Sequence, residues 1–174
     1  MSRDQRSTLL LTLVLLAAAF GLKWWYMEAT VAELGFMLKP VAYVVQAISG
    51  ETYVFAPGRG YLFHGLGIAI DRSCSGINFL VITVATLSLL ILKQGDGGCM
   101  RPVLALLCAA GAYVLAIAVN SGRILSMVWV RSAGFELSGR AHEAFGALIF
   151  LTGLSLAAIS LHLLLTKRPS AQPS

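Results

Sequence analysis

Three uncharged runs constrain this chain more than any other feature: Ser73–Leu92, Pro102–Gly122 and Ala144–Thr166 contain no Asp, Glu, Lys or Arg. A helix rises about 1.5 Å per residue, so about 20 apolar residues cross a hydrocarbon core about 30 Å thick. Each run is long enough. The remaining composition agrees: 57% of the 174 residues are hydrophobic and 12% charged, with a mean hydropathy of +0.80. Such a mix belongs in a bilayer, where backbone groups must be paired internally and helices are the simplest way to pair them.

A fourth segment, 8–26, is shorter in its apolar part and ends in Lys23-Trp24-Trp25-Tyr26. That cluster reads as a snorkelling lysine and an interfacial aromatic belt. Arg3 and Arg6 precede it as the charged region of a signal peptide would, but bulky residues stand where a cleavage site needs small ones, so a retained anchor is expected. The net charge of +5 and pI near 9.4 come from residues scattered among loops and span ends. No basic stripe forms, so no nucleic-acid partner is expected.

The expected fold is an all-α integral membrane protein with about four transmembrane helices, an amphipathic or partly inserted helix and a short extracytoplasmic β-hairpin-like segment. It forms a single membrane domain over 1–174, with spans at 8–26, 73–92, 102–122 and 144–166 and a disordered cytoplasmic tail at 167–174. Arg3, Arg6, Lys93, Arg101, Lys167 and Arg168 crowd the short segments on one side, which the positive-inside rule assigns to the cytoplasm together with both termini. The loop Lys93–Cys99 is Gly-rich but lacks a phosphate-loop signature and is expected to be a helix hairpin.

Within Met27–Ser49, Val31, Leu34, Met37, Leu38, Val41, Val45 and Ile48 recur at three-four spacing. The spacing predicts an amphipathic helix bent by Pro40, lying at the interface or partly inserted, with a true span as the alternative. From Gly50 to Asp71, Tyr53-Val54-Phe55 and Tyr61-Leu62-Phe63 flank Ala-Pro-Gly-Arg-Gly, the pattern of a hairpin leading into Asp71.

Three polar clusters then fall on the extracytoplasmic face: Asp71-Arg72-Ser73-Cys74-Ser75-Gly76, Asn120-Ser121-Gly122-Arg123 and His142-Glu143. A thiol near a helix N-terminus and a cation gains thiolate character. With an imidazole to move the proton and a guanidinium for a developing oxyanion, Cys74, His142 and Arg123 suit acyl transfer. Asn120, Ser75, Gly76, Asp71 and Glu143 are candidate supporting residues. Asp71 or Glu143 would orient the histidine, with a surface pairing of the acid to Arg72 as the alternative. His64 remains a rival base, whereas His162 lies 20 residues along the last span, roughly 30 Å away. Arg131 and Arg140 read as snorkelling anchors. The pattern calls for no metal and no cofactor.

At these residues the chain resembles the exosortase/archaeosortase family of membrane-embedded cysteine transpeptidases. Cys74-Ser75-Gly76 opens one span, Asn120-Ser121-Gly122-Arg123 closes the next, and His142-Glu143-Ala144-Phe145-Gly146 opens a later one. The resemblance covers roughly Pro40 to Phe150, without the extra N-terminal spans of larger members, and is nearest the compact subtype called exosortase K. It implies Cys74 as nucleophile, with Arg123 and His142 completing the triad. It implies a multi-pass protein of the cell (inner) membrane with an extracytoplasmic active site. The implied partners are exported proteins ending in a motif, a hydrophobic span and basic residues, with a membrane lipid or envelope glycan as acceptor. Two alternatives stand beside this: hydrolysis without transfer, and a non-enzymatic small membrane subunit or transport component whose polar span ends only anchor it.

Overall fold

The computed structural model describes residues 3–93, 101–135 and 138–166. The chain runs α1 (Arg3–Glu28), α2 (Gly35–Ser49), β1 (Val54–Ala56), β2 (Gly60–Phe63), β3 (Ile68–Ile70), a single 3-10 turn (Arg72–Cys74), α3 (Ile77–Lys93), α4 (Arg101–Ser132) and α5 (Gly139–Thr166). It is mostly helical with one small sheet. Among the described residues, three segments are long and apolar enough to cross a membrane: Arg72–Leu90, Leu106–Ser132 and Gly139–Leu164. The expected fourth span, 8–26, is helical within α1. The Gly-rich loop after Lys93, with Cys99, and the tail at 167–174 lie outside the described residues.

The long helices alternate in direction. Lys23 near the end of α1 donates to Asn78 Oδ1 at the start of α3 (2.7 Å), so these two run antiparallel. Lys23 therefore ties one helix end to another. Between α4 and α5 the backbones approach closely, because a Cβ on Gly153 would come within 2.7 Å of the Val119 side chain. Small residues at such crossings substitute for the hydrophobic drive that lipid removes. On α5, Leu148, Leu151, Leu156, Ile159, Leu163 and Leu164 stay exposed, a face suited to acyl chains rather than water.

The segment before the sheet departs from expectation. Val31 and Leu34 lie in a turn, and α2 begins at Gly35. Of its apolar face, Met37, Leu38, Val41, Ala42 and Val45 are fully buried, packed in the core against α4 and β2, while Ile48 is exposed. The periodicity was real, but a protein surface covers it. Pro40 sits inside α2 and cannot donate to the carbonyl four residues back, that of Phe36. Tyr113 of α4 fills the gap, its hydroxyl donating to the Phe36 carbonyl (2.6 Å). Ahead of α2, Thr30 and Glu33 form a reciprocal cap. Glu33 Oε2 accepts from Thr30 N and Oγ1 (both 2.7 Å), and Glu33 N donates to Thr30 Oγ1 (3.3 Å).

The hairpin forms where its turn residues predict. Arg59 N donates to Ala56 O (3.0 Å) across Pro57-Gly58, with Gly58 at φ +78° as a type II turn requires. Val54 pairs with Leu62, and Phe55 with Tyr61. A third strand was not foreseen. β3 pairs antiparallel with β2, placing Ile70 opposite Tyr61 and Ile68 opposite Phe63. Phe63, Ile70 and Ile77 carry the core from the sheet into α3.

Candidate active site

Cys74 ends the 3-10 turn that joins β3 to α3. Asp71, in extended conformation, caps this turn: its Oδ1 accepts from Ser73 N (2.9 Å) and from Ser73 Oγ (2.6 Å). Asp71 thus acts on its own loop and does not orient a histidine. Nor does it hold Arg72. The Arg72 guanidinium donates to the carbonyls of Tyr26 (2.7 Å) and Met27 at the end of α1, and lies 5.2 Å from the centre of the Tyr26 ring. Tyr26 returns a bond from its hydroxyl to Arg72 O (3.1 Å). A cation at the terminal carbonyls of a helix satisfies orphan acceptors and complements the helix dipole. The turn carrying the thiol is therefore clamped to α1.

Gly76 follows at φ +69°, and a Cβ there would lie 3.3 Å from the Asn120 side chain. Both the backbone conformation and the close approach call for glycine. Asn120, fully buried on α4, connects two parts of the site. Its Nδ2 donates to the Cys74 carbonyl, and its Oδ1 accepts from Arg123 Nε at 3.2 Å. Arg123 stands three residues further along, one helical turn, which puts both side chains on one face. The Arg123 guanidinium also lies 5.3 Å from the Phe150 ring centre, and its side chain packs where a Cβ on Gly146 would sit (3.3 Å). Ser75 is buried, its Oγ facing Ile77 N at 3.5 Å at the head of α3.

Polar residues do not end α4. The helix continues from Asn120 and Arg123 to Ser132, because 124–130 holds no helix breaker and Ile124 and Leu125 are buried in the core. The expected boundary at Gly122 marked where apolarity stopped, not where the helix did. At the head of α5, Ser138 caps the first turn, its Oγ accepting from Ala141 N (3.4 Å) and its carbonyl from His142 N (2.9 Å).

Cys74, Arg123 and His142 line one cavity of about 570 Å³. Ile68, Ala69 and Ile70 of β3 form one wall; Ile124, Met127, Val128, Val130 and Arg131 of α4, with Phe135, form another. Cys74 is half-buried and reaches the cavity from the turn, while Ser73 Oγ lies 3.8 Å from its Sγ. His64 occupies the turn between β2 and β3 and is not among the lining residues. Glu143 is exposed and likewise outside the lining.

Sequence reasoning missed two contributors. Arg131, expected to be an anchor, lines the cavity and donates from Nη1 to the Gly67 carbonyl (3.5 Å). The β3 wall was missed with its strand; its only signal was the Ile-Ala-Ile alternation between Gly67 and Asp71. A thiol, an imidazole and a guanidinium on one apolar-walled cavity can attack a carbonyl, move its proton and stabilise the oxyanion. Comparison with protein-family models, with curated proteins and with solved structures found no match to the chain.

Proposed function

We propose that this chain is a membrane-embedded cysteine transpeptidase of the exosortase/archaeosortase kind, acting on the C-terminal tails of exported proteins. One observation carries the reading: Cys74, Arg123 and His142, from three separate segments, line a single cavity. In this mechanism His142 takes the Cys74 thiol proton as the sulfur bonds to the scissile carbonyl carbon. Arg123 donates to the developing oxyanion. Collapse breaks the C–N bond, the leaving amine takes the proton from His142, and a thioester to Cys74 remains. An acceptor nucleophile from a membrane lipid or envelope glycan then attacks the thioester, giving up its proton as the thiol is restored.

Depth supports this placement. From Arg101 to Arg123 the helix covers about 33 Å, matching a hydrocarbon core about 30 Å thick. The site then sits at the extracytoplasmic boundary of the cell membrane, α1 is the fourth span, and both termini are cytoplasmic. There, little water competes for Arg123, and electrostatic stabilisation is strong.

The test follows the new C-terminus of a tail-bearing exported protein by mass spectrometry. A fragment carrying an added lipid or glycan mass, lost in Cys74→Ala, is expected. A free carboxylate would establish hydrolysis instead, and processing that persists in Cys74→Ala would overturn the assignment. A membrane-impermeant maleimide should label Cys74 in intact cells; labelling only after permeabilisation would overturn the orientation.

A further inference from the structure

β3 is an edge strand. Ile68, Ala69 and Ile70 pair with β2 on one side, and all three line the cavity on the other. In an antiparallel pair, alternate residues turn their N–H and C=O groups away from the neighbouring strand. Among the described residues no further backbone hydrogen bond occupies that outer side. These outer groups face the cavity, and another extended backbone is a partner that can pair with them. The strand ends at Ile70, and the turn that follows delivers Cys74. An added strand would therefore run past the thiol.

The charges narrow the occupant. The lining contains Arg123, Arg131 and His142, and no Asp or Glu among the described residues. Arg131 is fastened to Gly67 O at the start of β3, so its positive charge stands at the entrance of the edge. A lysine or arginine entering there would meet like charge, which disfavours it.

We propose that the outer edge of β3 takes an extended stretch of the exported polypeptide, free of basic side chains, as a fourth strand that presents its scissile carbonyl to Cys74. The proposal rests on the transpeptidase reading and adds how substrate is held. Backbone pairing supplies affinity without fixing sequence, and Arg131 supplies discrimination against cations.

The experiment uses the full chain in detergent and acetyl-Ala-Val-Ala-Val chloromethyl ketone, whose thiolate displacement of chloride leaves a thioether on Cys74. Rates are read by intact mass, normalised to glutathione and compared with iodoacetamide. The peptidyl probe should react faster. N-methylation of alternate amides should slow it about tenfold, the loss of one backbone hydrogen bond, while the intervening amides tolerate methylation. Replacing one valine of the probe by lysine should slow it similarly, and Arg131→Gln should restore that probe selectively. Equal rates for peptidyl and small electrophiles, or indifference to which amide is methylated, would overturn strand docking. Failure of the transpeptidase reading shows elsewhere, as tail processing that survives Cys74→Ala.

Discussion

Replacing Asn120 should damage the site more than any other change that leaves Cys74, Arg123 and His142 intact. Its amide makes two bonds in opposite senses, giving a proton to the Cys74 carbonyl and accepting one from Arg123 Nε. It is fully buried, and Asn120→Ala removes both bonds. A neutral hydrogen bond is worth about 1 kcal/mol and one to a charged group about 1.5–3 kcal/mol, so losing both costs about 3 kcal/mol. For a chain of this size that corresponds to a fall in Tm of about 6–12 °C, measured in detergent by tryptophan fluorescence. Asn120→Asp separates the two bonds. The carboxylate keeps and strengthens the contact to Arg123 but sets an acceptor against the Cys74 carbonyl. It should therefore retain much of the Tm while slowing peptidyl alkylation of Cys74, because the thiol-bearing turn is released. If Asn120→Ala keeps both the Tm and the alkylation rate of the parent protein, the bridging role is refuted.

Arg123→Lys should lose tail processing by about 100-fold or more, the usual effect of removing one oxyanion donor, because an ammonium cannot hold Asn120 through Nε while presenting a planar fork; full processing in that variant would reject the oxyanion role. Gly76→Ala should destabilise by about 1–2 kcal/mol from the left-handed backbone, with a further penalty from the Asn120 contact, both read as a lower Tm. The Glu33 carboxyl is held below its ordinary value of 4.5, first by the Thr30 backbone N–H and then by the Thr30 hydroxyl. Its cap therefore stabilises the fold above that ordinary value and is lost as pH falls through the depressed one. The Tm difference between the parent and Glu33→Gln should be present at pH 6 and vanish at strongly acid pH; a difference that grows on acidification would contradict the cap.

Much of this fold could be read from residue order because membranes make few demands, but strict ones. Uncharged length marked three helices, and Pro57-Gly58 marked the turn between β1 and β2. What escaped depended on partners distant in sequence. Periodicity gave α2 an apolar face but could not say that α4 covers it. Three residues are too few to announce a strand, so β3 became visible only through its pairing with β2. Arg123 and Arg131 look alike in sequence as basic residues near a span end, yet both line the cavity. The clusters around Cys74, Asn120 and His142 were legible because polar residues are rare in such a chain. How Asn120 joins them depends on an antiparallel crossing that no local pattern encodes.

The bond between Tyr113 and the Phe36 carbonyl has a consequence for how the chain is made. During synthesis α2 emerges from the ribosome well before α4, so the acceptor freed by Pro40 has no permanent donor until the later helix arrives. Until then α2 is an incomplete helix with reason to stay near water or near the insertion machinery. The contact that completes α2 therefore comes from a part of the chain made later. The sheet follows α2 in the chain, and β2 packs against that helix. The turn carrying Cys74 also depends on α4, through the Asn120 bond to the Cys74 carbonyl, so its final contacts need that later helix.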